Sequence, residues 1–324
     1  MDVRTTDYHT AGEPFRIVTG GVEPLEGATV LDKRRYAAES RDRIRELLVH
    51  EPRGHADMYG CFVTEPNDAG ADLGVVFFHN AGYSTACGHG TIALVTWALD
   101  EGVIEAVEPE TRIVVDVPSG RLETFATMRG GRVERVRFVN VPSYVEARGL
   151  AAAGLSVDVA FGGAFYASLE APLPVNADSL SRLIELGRAV KRELESGGSF
   201  VHPLEPELRD IYGVIFFERL EEGPPLRQRN VTVFADGEVD RSPCGSGTSA
   251  RLALLDANGE LARGQPLVHE SIVGTTFEAR VIGGAEVGGA SAVVTEVSGS
   301  AHRTGEHRFV LEEDDALGTG FLLR

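Results

Sequence analysis

One pentapeptide pattern occurs twice in this chain, 157 residues apart: Cys87-Gly88-His89-Gly90-Thr91 matches Cys244-Gly245-Ser246-Gly247-Thr248. The same spacing carries Val76-Phe77 onto Val233-Phe234, Ala93 onto Ala250 and Gly102 onto Gly259. Each copy reads as strand, tight loop, Cys-Gly-X-Gly-Thr, apolar helix and terminating glycine. A spacing shared by strand, loop and helix end points to internal duplication. At 324 residues, each half has the size of an ordinary domain. The expected division is residues 1–130 carrying Cys87 and residues 131–290 carrying Cys244, with the boundary somewhere in 120–150. Strands from about 290–324 are candidates to return to the first half.

The local patterns agree with such halves. Clusters of β-formers between glycines predict strands at Tyr59–Thr64, Gly74–His79, Arg112–Val117, Arg132–Val139, Asn230–Phe234 and Ala290–Val297. Helices are expected over 90–101 and 247–257, which are almost wholly apolar, and over 177–196. In the last, Leu180, Leu183, Ile184, Leu186, Val190 and Leu194 recur at helical spacing before Gly197-Gly198. Many strands and few helices give an α+β class.

The formal net charge of −18, from 49 acidic and 31 basic residues, argues against nucleic acid and anionic membranes as partners. A small anionic substrate is still allowed, because a pocket can be locally positive. No apolar run approaches the roughly 18 residues a membrane span needs. The N-terminus lacks the pattern of a signal peptide. Three cysteines, Cys61, Cys87 and Cys244, make an odd and sparse set, unlike a disulfide framework. The expectation is a cytoplasmic protein with reduced thiols.

A cysteine placed just before an apolar helix sits where unpaired backbone N–H groups and the helix dipole favour an anion. That predicts a thiol of depressed pKa, a plausible base near neutral pH. The glycines that follow let the backbone approach a ligand, and successive N–H groups there can bind a carboxylate. Two such units around one small ligand would supply what racemisation needs. One thiolate removes the α-proton from one face, and one thiol delivers a proton to the other. Neither pyridoxal phosphate nor a metal is required, and no cofactor is expected. Each residue also has a plainer reading. An isolated buried cysteine is usually a small core residue. Cys61, in a strand-like run, keeps that reading, while the duplicated context favours chemistry for Cys87 and Cys244. His89 either satisfies its loop or touches the ligand. Asp240 is either a turn residue or the partner of a substrate ammonium. Cys87 and Cys244 could instead form a disulfide.

The chain resembles the proline racemase family, which includes hydroxyproline 2-epimerases and trans-3-hydroxyproline dehydratases. The resemblance runs from Asp7-Tyr8-His9-Thr10-Ala11-Gly12-Glu13-Pro14 through both cysteine motifs to Gly320-Phe321. It implies a fold like that of diaminopimelate epimerase: two similar halves, strands wrapped around a central helix in each, and the site in the cleft between them. Carried over by motif, Cys87 and Cys244 would be the acid/base pair. Gly88, His89, Gly245 and Ser246 would hold the substrate carboxylate and ring, with Asp240 and His89 on the ring nitrogen. The small-molecule substrate would be proline or a hydroxyproline, and a homodimer is the assembly the resemblance suggests.

The dehydratases of the family usually carry threonine where Cys244 stands, so the cysteine favours epimerisation. Gly90 matches the hydroxyproline epimerase form of the motif, with 4-hydroxyproline the favoured ring. Ala86, Ala164 and Tyr166 depart from the family's usual pattern, and Ala164 and Tyr166, with His79-Asn80 before Gly82-Tyr83, lean toward the dehydratase branch. The leading expectation is therefore a two-base epimerase or racemase. A trans-3-hydroxy-L-proline dehydratase comes second, and a non-catalytic ligand-binding or thiol redox module third.

Overall fold

The two apolar helices are the centres around which the chain is organised. In the computed structural model, which describes residues 1–223 and 225–323, they span Gly88–Asp100 and Gly245–Ala257. Every residue from Gly88 to Leu99 of the first is buried, as is every residue from Gly245 to Leu255 of the second. A helix without a polar face can be stable in water only when surrounded. Strands do the surrounding. The helices stop in the same way, with Gly102 at φ +67° after one and Gly259 at φ +70° after the other. This left-handed conformation suits glycine and ends a helix.

The chain divides into two compact units. The first comprises Met1–Val136 and Ser300–Arg324, and the second Arg137–Gly299. Of the C-terminal strands, Ala301–Val310 joins the first unit and Ala290–Gly299 stays with the second. Arg324, the last residue of the 290–324 segment, lies outside the described residues.

In the first unit, Ala301–Val310 runs antiparallel to Asp2–Thr10, which is antiparallel to Glu13–Gly20. Glu13–Gly20 is parallel to Tyr59–Thr64, itself antiparallel to Leu73–His79. Leu73–His79 is parallel to Glu110–Val117, which returns antiparallel as Gly120–Arg129. The second unit repeats this succession of directions. Tyr144–Ala152, Leu155–Phe161 and Phe165–Glu170 are successively antiparallel. Ile211–Glu221 is parallel to the last of these and antiparallel to Leu226–Phe234. Leu226–Phe234 is parallel to Leu267–Ser271, which is antiparallel to Thr276–Val287. Thr276–Val287 pairs with Ala290–Gly299, whose backbone bonds back to Ser143 and Asn140 and closes the sheet round its helix.

The parallel neighbours need crossovers, and helices supply them. Val30–Ser40 and Asp42–Val49 do so for one parallel pair of the first unit and Leu180–Gly197 for one of the second, while the central helices Gly88–Asp100 and Gly245–Ala257 lie in the other two crossovers. The expected 90–101 and 247–257 helices begin two residues earlier than the apolar pattern, at Gly88 and Gly245, because glycine hides the start of the run. The helices at 30–40 and 42–49 were not expected from the sequence: the first has only a weak apolar stripe, and in the second Ile44, Leu47 and Leu48 recur at helical spacing over just eight residues. The first also carries a capping box, in which Thr29 Oγ1 accepts the Asp32 N–H at 3.1 Å and Asp32 accepts the Thr29 N–H at 3.0 Å. Among the described residues, no helix is long and apolar enough to cross a membrane.

Leu254 has no exposed surface and packs with Ile215, Ala250, Tyr166 and Cys244 beneath the second motif. Truncating it leaves a cavity that close-packed neighbours cannot refill. Leu254→Ala is expected to destabilise the second unit by about 2–5 kcal/mol, read as a lower urea midpoint with unchanged secondary structure at neutral pH. An unchanged midpoint would mean that the helix is not held by this packing.

Candidate active site

Cys87 is the N-cap of the helix Gly88–Asp100, in extended backbone at φ −152°. Its Sγ accepts the Gly90 N–H at 3.2 Å, one of the helix's otherwise unpaired donors. The His89 ring lies against the sulfur, with Nε2 at 3.4 Å and Nδ1 at 3.6 Å. That ring is wedged edge-on between Phe15 and Tyr59, and the His89 carbonyl accepts from Thr10 Oγ1 at 2.9 Å. Strand residues from the N-terminal hairpin thereby fix a residue of the motif.

The second glycine of each motif has a task the sequence did not disclose. A Cβ at Gly90 would come within 2.7 Å of Cys87 Sγ and 2.4 Å of the Phe15 ring. At Gly247 it would come within 2.9 Å of Cys244 Sγ and 3.0 Å of Ile215. These glycines make room for the thiols themselves, in addition to any close approach of a ligand.

Cys244 is held differently. It precedes the helix Gly245–Ala257 at φ +62°, a left-handed value that non-glycine residues rarely adopt. Its N–H donates to Ser242 Oγ at 3.1 Å, and the Ser242 N–H donates to Asp240 Oδ1 at 2.8 Å. Asp240 therefore does serve as a turn residue. It is 3% exposed, and its charge lies near the thiol. Cys244 Sγ is 3.8 Å from the Tyr166 hydroxyl, which shares a 2.6 Å hydrogen bond with Ser246 Oγ. Burial pushes the Cys244 thiol well up, and Asp240 adds to the effect. The depressed pKa expected from the helix end is not found at this position, because loss of hydration outweighs the lowering by the Gly247 N–H at the helix start. A thiol kept protonated is suited to deliver a proton.

All three cysteines are thiols rather than disulfides. Cys61 is fully buried in its strand, with its thiol pushed up by burial, in keeping with a core residue. Within its own unit, each motif brings its predicted residues together: Cys87, Gly88 and His89 in one, Asp240, Cys244, Gly245 and Ser246 in the other. Tyr166, noted in the sequence only as a departure from pattern, proves to be a neighbour of Cys244. Asn230, Thr248 and His269 form a buried network behind it that no spacing in the sequence announced.

A model of the family described as proline racemase matches residues 5–322. The chain belongs to the proline racemase family. It is 46% identical to a trans-3-hydroxy-L-proline dehydratase of Bacillus cereus, over 98% of this chain and 97% of that protein. It is 47% identical to a 3-hydroxyproline 2-epimerase of Burkholderia multivorans, over 99% and 98%. The structure of a hydroxyproline epimerase from Agrobacterium vitis, with trans-4-OH-L-proline bound, matches with a TM-score of 0.92 at 32% identity, covering 99% of this chain and 96% of that one. The protein is accordingly an enzyme of this family with its α+β, diaminopimelate-epimerase-like fold.

His269 offers a pH-dependent check on the second unit. Burial, assisted by the Arg251 charge, pushes it down to about 3 from an ordinary 6.5. It is neutral when folded, so its contribution is complete above about pH 6.5. As pH falls from there toward 3, the unfolded chain takes up a proton that the folded chain refuses, and stability is lost. Tm should fall on acidification from pH 7 to 4.5, and more shallowly in His269→Asn. Equal slopes in the two proteins would remove His269 from this account.

Proposed function

We propose that the protein is a hydroxyproline 2-epimerase that exchanges the α-proton of its substrate between Cys87 and Cys244. The observation that carries this reading is a thiol at the start of a buried helix in both copies of the motif. The reading requires the two helix starts to flank one substrate. Gly88, His89, Gly245 and Ser246 then hold its carboxylate and ring, and Asp240 with His89 its ammonium.

In the forward direction the Cys87 thiolate takes the α-proton, and electron density moves into the carboxylate. Helix-end N–H groups stabilise that charge as it develops. The Cys244 thiol then donates its proton to the opposite face of the α-carbon. The turnover leaves Cys87 as thiol and Cys244 as thiolate, the pair ready for the reverse direction, and solvent exchange resets it. The raised pKa of Cys244 supports its role as the starting acid. No residue in this scheme calls for a cofactor.

For the ring, the names of the relatives at 46% and 47% identity favour a 3-hydroxyproline, ahead of the 4-hydroxyproline suggested by the motif alone. Those names also support a second reading, dehydration of trans-3-hydroxy-L-proline. There one base removes the α-proton, the 3-hydroxyl leaves as water, and the enamine formed becomes a pyrroline. That chemistry needs no acid on the far face, so it leaves Cys244 without a task.

Proton NMR on trans-3-hydroxy-L-proline, trans-4-hydroxy-L-proline and L-proline, offered separately, distinguishes the readings. The epimerase conserves mass and gives the opposite α-epimer. A pyrroline formed from the 3-hydroxy compound alone would move the protein to the dehydratases. Cys87→Ser and Cys244→Thr should each lower epimerisation by about 100-fold or more, while full activity in both variants would end the two-thiol mechanism.

A further inference from the structure

Behind Cys244 lies a closed hydrogen-bond network of three side chains with no exposed surface, Asn230, Thr248 and His269. Asn230 Nδ2 can only donate, and it is 2.9 Å from His269 Nε2, so that nitrogen accepts. Thr232 Oγ1, 3.5 Å from Asn230 Oδ1, is consistent with this amide orientation. The histidine proton therefore sits on Nδ1 and is donated to Thr248 Oγ1 at 2.7 Å. The Thr248 hydroxyl hydrogen is left to donate to the Pro243 carbonyl at 3.1 Å, and Asn230 Nδ2 donates to the same carbonyl at 3.1 Å. The N–H of that same peptide unit, on Cys244, is taken by Ser242 Oγ. The peptide entering Cys244 is thus fixed at both its polar atoms. The peptide leaving it is fixed by Thr248 N–H on the Cys244 carbonyl at 2.7 Å. Between these two clamps the residue sits at φ +62°.

Among the described residues, the first unit lacks this device. Leu73 pairs with Val115 as Asn230 pairs with Ser271, so apolar Leu73 and Ile113 stand where Asn230 and His269 stand in the second. Thr91, the counterpart of Thr248, bonds the Cys87 carbonyl at 2.9 Å instead of the carbonyl before the cysteine, and Cys87 keeps an ordinary extended φ. Network and left-handed cysteine occur together in one unit and are both missing from the other. Backbone held in a sparsely populated region persists only where its surroundings over-determine it.

We propose that His269, through Thr248 and Asn230, is a positioning residue for the Cys244 thiol, locking its backbone so that the sulfur is presented to the substrate. This rests on the two-thiol reading for its purpose, although not for its test.

The test compares alkylation of Cys244 and Cys87 by iodoacetamide, resolved peptide by peptide by mass spectrometry across pH, with Cys87 as internal control. His269→Leu removes both ring bonds and His269→Asn retains a donor near Nδ1. Thr248→Val removes the hydroxyl at nearly constant shape, and Thr248→Ser restores it. If His269→Leu does not fold, the Thr248 pair decides. In His269→Leu and Thr248→Val, the Cys244 alkylation rate or its pH midpoint should shift by about tenfold or one pH unit, with Cys87 unchanged. Turnover should fall by about 100-fold, in kcat more than in KM. Thr248→Ser and His269→Asn should recover part of each effect. Cys87 and Cys244 shifting together, or neither shifting in folded variants, would overturn the proposal. A selective Cys244 shift in a protein whose wild type turns over no hydroxyproline would instead sink the epimerase reading and leave the positioning role standing.

Discussion

A helix buried along its whole length meets the rest of the world at its ends, and at its N-terminal end the first backbone N–H groups lack partners within the helix. Both central helices of this protein are of that kind, and each begins at a cysteine. The surrounding strands pack against apolar side chains, and at the first helix start one of these donors is taken by the Cys87 thiol. Burial of the helix and the placing of a cysteine at its start are therefore one arrangement. The apolar run that forces strands to wrap the helix also fixes where the cysteine must stand.

The two cysteines stand in different surroundings. Cys87 accepts a backbone N–H and lies against an imidazole wedged between aromatic rings. Cys244 sits in left-handed backbone, near the Asp240 carboxylate and the Tyr166 phenol, with its thiol pushed up. A proton exchange across an α-carbon needs one partner to begin as base and the other as acid, and two identical environments would not favour either assignment. On the proposed two-thiol reading, the Asp240 carboxylate near Cys244 would bias that thiol toward the acid role, without a change in the reacting atom.

What the sequence disclosed was the part written in periodicity and repetition. The strands at Tyr59–Thr64 and Arg132–Val139 have the limits read from β-formers, and the two apolar helices follow from their composition. The helix Val30–Ser40 was missed because its capping cue, Thr29 followed by Asp32, is accompanied by only a weak apolar stripe. The site was legible where its residues are close in the chain. Cys87 and His89 are two residues apart, and Asp240 precedes Cys244 by four. The Tyr166 and His269 contacts depend on strand register, which brings together residues 78 and 21 positions from their partners. The helix-end argument for Cys244 failed for a related reason: the burial that dominates its titration comes from residues distant in sequence.

The central claim is that protons leave and arrive at the α-carbon through different groups. It is tested most directly by running epimerisation in D2O and analysing the earliest product. With two thiols, the newly formed epimer carries solvent deuterium at its α-carbon, while the unreacted substrate still carries hydrogen. Product that retains the substrate's own hydrogen, or deuterium appearing equally in both epimers from the start, would contradict the account and leave a single base to serve both faces.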